Sequence, residues 1–197
     1  KHGELRGNYS WVVLTKLAGF VLLGLIPALI ILFFLQQPLS DFGASTRMSP
    51  FAWGWMLGGS LLVLLVNVLQ GRRPAHYAVY PLIRYPEWSP RLLIVSLITS
   101  TLFIVGYEFM FRGFLLFALV PLTGVWVAIA LNVLIYALAH IHKGLGETIG
   151  SVPFGILLCW ITLESGNFWA IIVMHITLSL SADLVALWAN PEMRLKN

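Results

Sequence analysis

The sequence is short of charge. Only 10% of its 197 residues are Asp, Glu, Lys or Arg, where a soluble domain carries about 25%. With 59% hydrophobic residues and a mean hydropathy of +0.87, it cannot be an ordinary water-soluble domain. One cysteine, Cys159, allows no internal disulfide, so cysteine usage does not report a redox compartment. There is no internal repeat and no low-complexity tract. The net charge of +4 is no nucleic-acid signal when so much of the chain is apolar, and the basic residues are better explained by membrane topology. The chain begins at Lys1 without a methionine, as expected of a fragment or a processed form.

What the sequence has instead is apolar runs of spanning length, at about 20 residues per span. Six are predicted as helices: Trp11–Leu35, Pro50–Leu69, Arg91–Val120, Val125–Ile141, a short Val152–Leu163 with an alternative start near Thr148, and Phe168–Ala189. The first is too long for the apolar region of a signal peptide, about 7–15 residues, and is read as a retained helix. Lys16 is expected to snorkel to the near interface, and Pro27 to kink the first helix. Gly54 and Gly58 form a GxxxG pair suited to close helix packing. The Gln70–Pro90 connection mixes Arg72, Arg73 and Arg84 with Tyr77, Tyr80, Tyr85 and Trp88, a composition that suits the headgroup layer.

The expected fold is therefore all-α: one integral membrane domain over residues 1–197, a polytopic bundle of about six transmembrane helices. With the N-terminus cytoplasmic, ten basic residues fall inside (Lys1, Arg6, Lys16, Arg72, Arg73, Arg84, Arg91, Lys143, Arg194 and Lys196) and only Arg47 outside, as the positive-inside rule requires. The expected location is multi-pass, in a bacterial plasma membrane.

Ionisable residues inside apolar helices are costly and mark function by default. Glu108 and Arg112 lie in the third helix within GYEFMFRGFLLF, Gly106–Phe117. Their i, i+4 spacing puts them on one helical face, close enough to pair. Such a pair serves either packing or a polar site between helices. His140 ends the fourth helix, next to His142, and His175 lies inside the sixth. Each histidine alone suits packing as well as chemistry. Together, a carboxylate and two imidazoles can hold and deprotonate a water or bind a metal, with Arg112 orienting or neutralising the carboxylate.

These residues fall in an order that resembles a family. Glu108-x-x-x-Arg112-Gly113, Tyr136-x-x-x-His140 and His175-x-x-x-Ser179 look like the three motifs of the CPBP family, which holds the type II CAAX prenyl endopeptidases and the Abi-type bacteriocin-processing and immunity proteins. The family forms are EExxxR, FxxxH and HxxxN or HxxxD, and the resemblant core is residues 92–187. The resemblance implies an all-helical intramembrane protease, formerly classed as a metalloprotease and now as a glutamate protease, in which a glutamate and two histidines hold the attacking water. Carried onto this chain, the catalytic set is Glu108, His140, His175, Arg112 and Ser179, with Ser179 donating to the oxyanion. No cofactor is expected, and the alternative is zinc on Glu108, His140 and His175. The partner is a peptide or protein substrate, membrane-associated substrates included, in contact with the bilayer.

Three positions depart from the family. Tyr107 replaces its first glutamate, Tyr136 its motif phenylalanine and Ser179 its last asparagine or aspartate. A tyrosine of ordinary pKa, about 10, is no base at neutral pH. Either Glu108 takes the catalytic role, or another carboxylate does, of which Glu147 is the best placed. Otherwise the chain is a non-catalytic immunity or scaffolding protein, or a divalent-metal site protein.

Overall fold

The computed structural model describes residues 2–141 and 144–196, and residues 2–7 by their backbone alone. His142 lies outside the described residues, as does Lys143. The chain is an all-α bundle. Five helices are long and apolar enough to cross a membrane: α1 (Asn8–Phe34, its backbone helical from His2), α2 (Pro50–Gln70), α3 (Pro90–Thr123), α5 (Leu145–Ser165) and α6 (Trp169–Ala189). Between them, α4 (Val125–Leu138) is apolar but has 14 residues, about 21 Å of helix against a hydrocarbon core of about 30 Å. Trp11, Phe34, Leu61, Leu122, Trp126 and Trp188 are among many large apolar side chains on the outside. That surface suits lipid, not water.

Local chemistry explains the boundaries. Ser49 and Ser89 cap α2 and α3, accepting from Ala52 N at 3.1 Å and Leu92 N at 3.2 Å, and each is followed by a proline at the first helical position, where no N–H is missed. Gly124 and Gly166, at φ +80° and +65°, make the sharp turns into α4 and α6 that a Cβ would oppose. Pro121 does not end α3, which continues to Thr123. The fifth helix is longer than expected. The glycine-rich stretch before Val152 supplies its first two turns, with Glu147 in the first, where a carboxylate complements the exposed N–H groups.

Polar ties hold the bundle where apolar packing against lipid gives little preference. Asn67 of α2 donates to Leu178 O and Ser181 Oγ of α6, both at 2.7 Å. Asn132 of α4 donates to Phe111 O at 2.6 Å, within the wide π-helical turn Phe109–Leu115 of α3. The close helix crossing is not at the expected glycines. Among the described residues nothing lies within 4 Å of a Cβ built on Gly54 or Gly58. Instead α1 and α3 cross at Gly24 and Gly106, where a Cβ on Gly24 would lie 3.0 Å from Gly106 Cα.

Two residues expected at the interface make contacts inside the bundle. Lys16 donates from Nζ to Ser100 Oγ of α3 at 2.6 Å. Trp88 is buried, not interfacial. It packs with Val12, Ile83, Leu92 and Leu187, because the Gln70–Pro90 connection folds back onto the bundle. That connection holds a helical turn, Pro74–Tyr77, and a short strand β1 (Glu87–Trp88), which pairs in parallel with β2 (Arg194–Leu195). Arg84 donates to Tyr77 O at 2.9 Å and to Ala78 O, and His76 Nε2 lies 3.2 Å from Ala182 O of α6.

Candidate active site

Glu108 is the buried centre. It and Arg112 are both fully enclosed, with Arg112 Nη1 3.4 Å from Glu108 Oε2. The guanidinium also lies over the Tyr136 ring of α4, 4.2 Å from its centroid, a cation–π contact that spreads its charge. The other carboxylate oxygen, Oε1, accepts from Nδ1 of His175 in a short contact. One carboxylate therefore joins a cation on its own helix to an imidazole on α6.

His140 comes to the same place from the end of α4. Its Nδ1 lies 2.8 Å from Tyr136 O. A carbonyl can only accept, so Nδ1 carries the proton, and in the neutral ring Nε2 carries the lone pair. The Glu108 carboxylate fixes His175 the same way, with the proton on Nδ1. Tyr107 packs edge-on to both imidazoles, with ring centroids 6.3 Å from His140 and 6.1 Å from His175.

Two cavities meet at these rings. The larger, about 480 Å³, lies between α2, α5 and α6 and is mostly apolar, with Asn67, His76 and Glu147 towards one end. The smaller, about 370 Å³, is lined by Lys16 and Ser100 with Tyr107 and Asp183. Tyr80, His140, His175 and Ser179 line both, and so form the wall between them. Both volumes fall in the usual range for small-molecule sites, about 300–1,000 Å³. Glu108 is not among the described residues that line either cavity. The imidazole of His175 stands between it and the open space.

Of the residues singled out in the sequence, Glu108, Arg112, Tyr107, His140 and His175 are gathered, with Ser179 one turn beyond His175 on the same cavity wall. Glu147 is on the rim of the larger cavity, solvent-exposed, and accepts from Tyr80 Oη at 3.4 Å. Burial, with Glu147 next in effect, pushes the Tyr80 phenol well above its ordinary range, so it remains a donor. Among the described residues no three of His, Cys, Asp and Glu are gathered as a metal site would need. Glu108 spends Oε1 on His175 Nδ1, so these two do not present lone pairs to a common point. Sequence reading missed Lys16, Ser100, Tyr80 and Asp183 as cavity residues. Asp183 had a signal, two helical turns from His175 on one face. Lys16 had one too, as a cation inside an apolar run. Tyr80 had none, since its place depends on how the connection folds.

The helical membrane bundle thus buries a glutamate–arginine pair against a histidine that lines both cavities. Residues 88–181 match the family of type II CAAX prenyl endopeptidases, Rce1-like. The match agrees with the resemblance read from the three motifs, over a little less than half of the chain, and this segment is similar at family level to CAAX-type endopeptidases. The matched span runs from the end of β1 through α3, α4 and α5 into α6, and contains Tyr107, Glu108, Arg112, His140, His175 and Ser179. No curated protein and no solved structure matches the chain.

Proposed function

We propose that the protein is an intramembrane endopeptidase of the CAAX-protease type, and that Glu108 and His175 together activate the attacking water. The observation that carries this reading is the Glu108–His175 contact at the wall shared by two cavities. A peptide lying through both cavities would present one bond to that wall. Both cavities are mostly apolar, which suits the lipid-like part of a membrane-associated substrate, while Lys16, Ser100 and Asp183 in the smaller one offer polar contacts to the peptide.

In this mechanism His175 Nε2 takes a proton from water as its oxygen forms a bond to the carbonyl carbon. Glu108 stays ionised and balances the imidazolium, and Arg112 holds Glu108 in place. His175 then passes the proton to the amine nitrogen as the C–N bond breaks. Neutral His140 has no second N–H for an oxyanion. Its Nε2 lone pair instead accepts from the water and orients it. Ser179 supplies a hydroxyl donor from the same wall. Glu147, on the rim and bonded to Tyr80, has no part in the bond-breaking step. A scaffold protein is the second reading, favoured by one fact: both members of the Glu108–Arg112 pair are fully enclosed, as a packing pair would be.

The test uses the full chain in lipid vesicles with prenylated and unprenylated peptides that end in a free carboxylate. Cleavage at one internal bond is expected, falling at least about 100-fold in His175→Ala with the thermal midpoint nearly unchanged. Undiminished cleavage by His175→Ala would remove that residue from the mechanism. Absence of cleavage, together with stability losses that track binding losses across the site, would favour the scaffold.

A further inference from the structure

Tyr107 stands where the family's first glutamate would stand, and its environment is that of a residue held for a ligand. The side chain is only 8% exposed. Its ring is wedged between Phe103 and Phe111, with centroids 5.7 and 4.6 Å away, and edge-on to both catalytic imidazoles. The ring is over-determined by packing, yet its hydroxyl is buried and has no hydrogen-bond partner among the described residues. Buried hydroxyls nearly always find one. The residue lines the smaller cavity, beside His140 and His175.

We propose that Tyr107 is a catalytic residue whose hydroxyl donates a hydrogen bond to the carbonyl oxygen of the cleaved bond, and to the oxyanion formed from it. This rests on the protease reading above. A phenol with an ordinary pKa of about 10 stays protonated at neutral pH, so it is a donor there and not a base. Ser179, on the same cavity wall, is the second donor, and the other nearby groups do not duplicate the role. His140 Nδ1–H is spent on Tyr136 O, and Lys16 Nζ is directed to Ser100 Oγ. As water's oxygen bonds to the carbonyl carbon, the π electrons move to the carbonyl oxygen and the water proton goes to His175. Tyr107 transfers no proton. Its fixed O–H dipole, already in place before the charge forms, stabilises the charge without reorganising. When the C–N bond breaks, the oxygen becomes part of the new C-terminal carboxylate, and the same hydroxyl bonds it. The substitution of tyrosine for glutamate thus exchanges a base for an oxyanion donor and leaves base chemistry to the Glu108–His175 pair.

Tyr107→Phe removes only the oxygen and keeps the ring packing, so it separates the proposal from a structural role. In the full chain, kcat should fall about 100- to 1,000-fold, the effect of one oxyanion donor. KM should change less than threefold, and the thermal midpoint should stay level or rise, because a buried unpaired hydroxyl is lost. A product-like peptide acid should raise the midpoint of the unaltered protein and fail to raise that of Tyr107→Phe. A kcat within twofold of the unaltered protein would overturn the proposal while leaving the protease reading intact. So would a midpoint lowered by several degrees, which would mean the hydroxyl is bonded within the fold. If the unaltered protein cleaves nothing, the protease reading fails separately. The hydroxyl is then judged by the peptide-acid shift, and its absence from both proteins overturns the assignment.

Discussion

Replacing Glu108 by glutamine should unfold the site before it silences it. Glutamine keeps the size of glutamate and can still accept from His175 Nδ1. It cannot balance Arg112, whose guanidinium is fully enclosed and 3.4 Å from the carboxylate. A buried pair broken from one side costs about 3–5 kcal/mol, because the remaining charge has lost its counter-ion in a medium of low dielectric. The Tyr136 face is against the guanidinium in both proteins, so it does not offset the loss. The expectation for Glu108→Gln is therefore about 3–5 kcal/mol, a factor of roughly 150 to 5,000 in the folding equilibrium. Arg112→Met should cost as much, from the opposite charge. The double variant should cost clearly less than the sum of the two, since it leaves no buried charge, and it should be folded yet inactive. The assay is a double-mutant cycle on reversible unfolding in mixed micelles, with cleavage followed on the same samples. Additive costs, with a coupling energy below about 0.5 kcal/mol, would refute the reasoning. So would a Glu108→Gln protein as stable as the original.

Gly106→Val should separate α1 from α3, because even a Cβ there would lie 3.0 Å from Phe20 Cα; a loss of about 1–3 kcal/mol is expected by thermal unfolding, and an unchanged midpoint would show that the helices do not meet there. The N-terminus, the Gln70–Pro90 connection and the C-terminus should be cytoplasmic, so a cysteine at Arg72 should resist an impermeant reagent applied from outside, and rapid labelling would reverse the orientation. Purified protein should carry less than stoichiometric zinc and keep its activity after chelation; one zinc per chain by elemental analysis, lost in His175→Ala, would replace the metal-free mechanism.

Much of the bundle could be read in the sequence because membrane helices announce themselves by length and apolarity. The expected starts of α2 and α3 were within one residue, since Ser49-Pro50 and Ser89-Pro90 leave little choice. The start of α5 at Leu145 precedes both expected starts, Val152 and Thr148, because Gly146 and Gly150 read as loop; a helix N-terminus tolerates them once Glu147 and the neighbouring helices support it. The GxxxG motif misled because spacing says nothing about which face meets a neighbour. Gly24 and Gly106 are on different helices, and no single-helix pattern can pair them. The convergence of Glu108 with His175 followed from titratable groups on separate apolar helices. The enclosure of Glu108 behind His175 did not, nor did the two cavities, because both depend on side-chain packing across three helices. Lys16 was assigned to the interface by its closeness to the start of a span, and Ser100, 84 residues away, was the partner no local rule could supply.

The pairing of β1 with β2 has a consequence for how the protein is made. Glu87 and Arg194 are 107 residues apart, and between them lie four helices and every residue of the proposed site. Helices can enter the membrane one after another as they are synthesised. The segment Pro86–Trp88 cannot, since Arg194 N and Lys196 N close onto Pro86 O and Trp88 O, each at 2.8 Å. The connection ahead of α3 must therefore wait, with Trp88 unsealed, until residues 194–196 have left the ribosome. Closing this clasp is a late step of biogenesis, and a nascent chain stalled before it would carry all six helices with the connection ahead of α3 still unpaired.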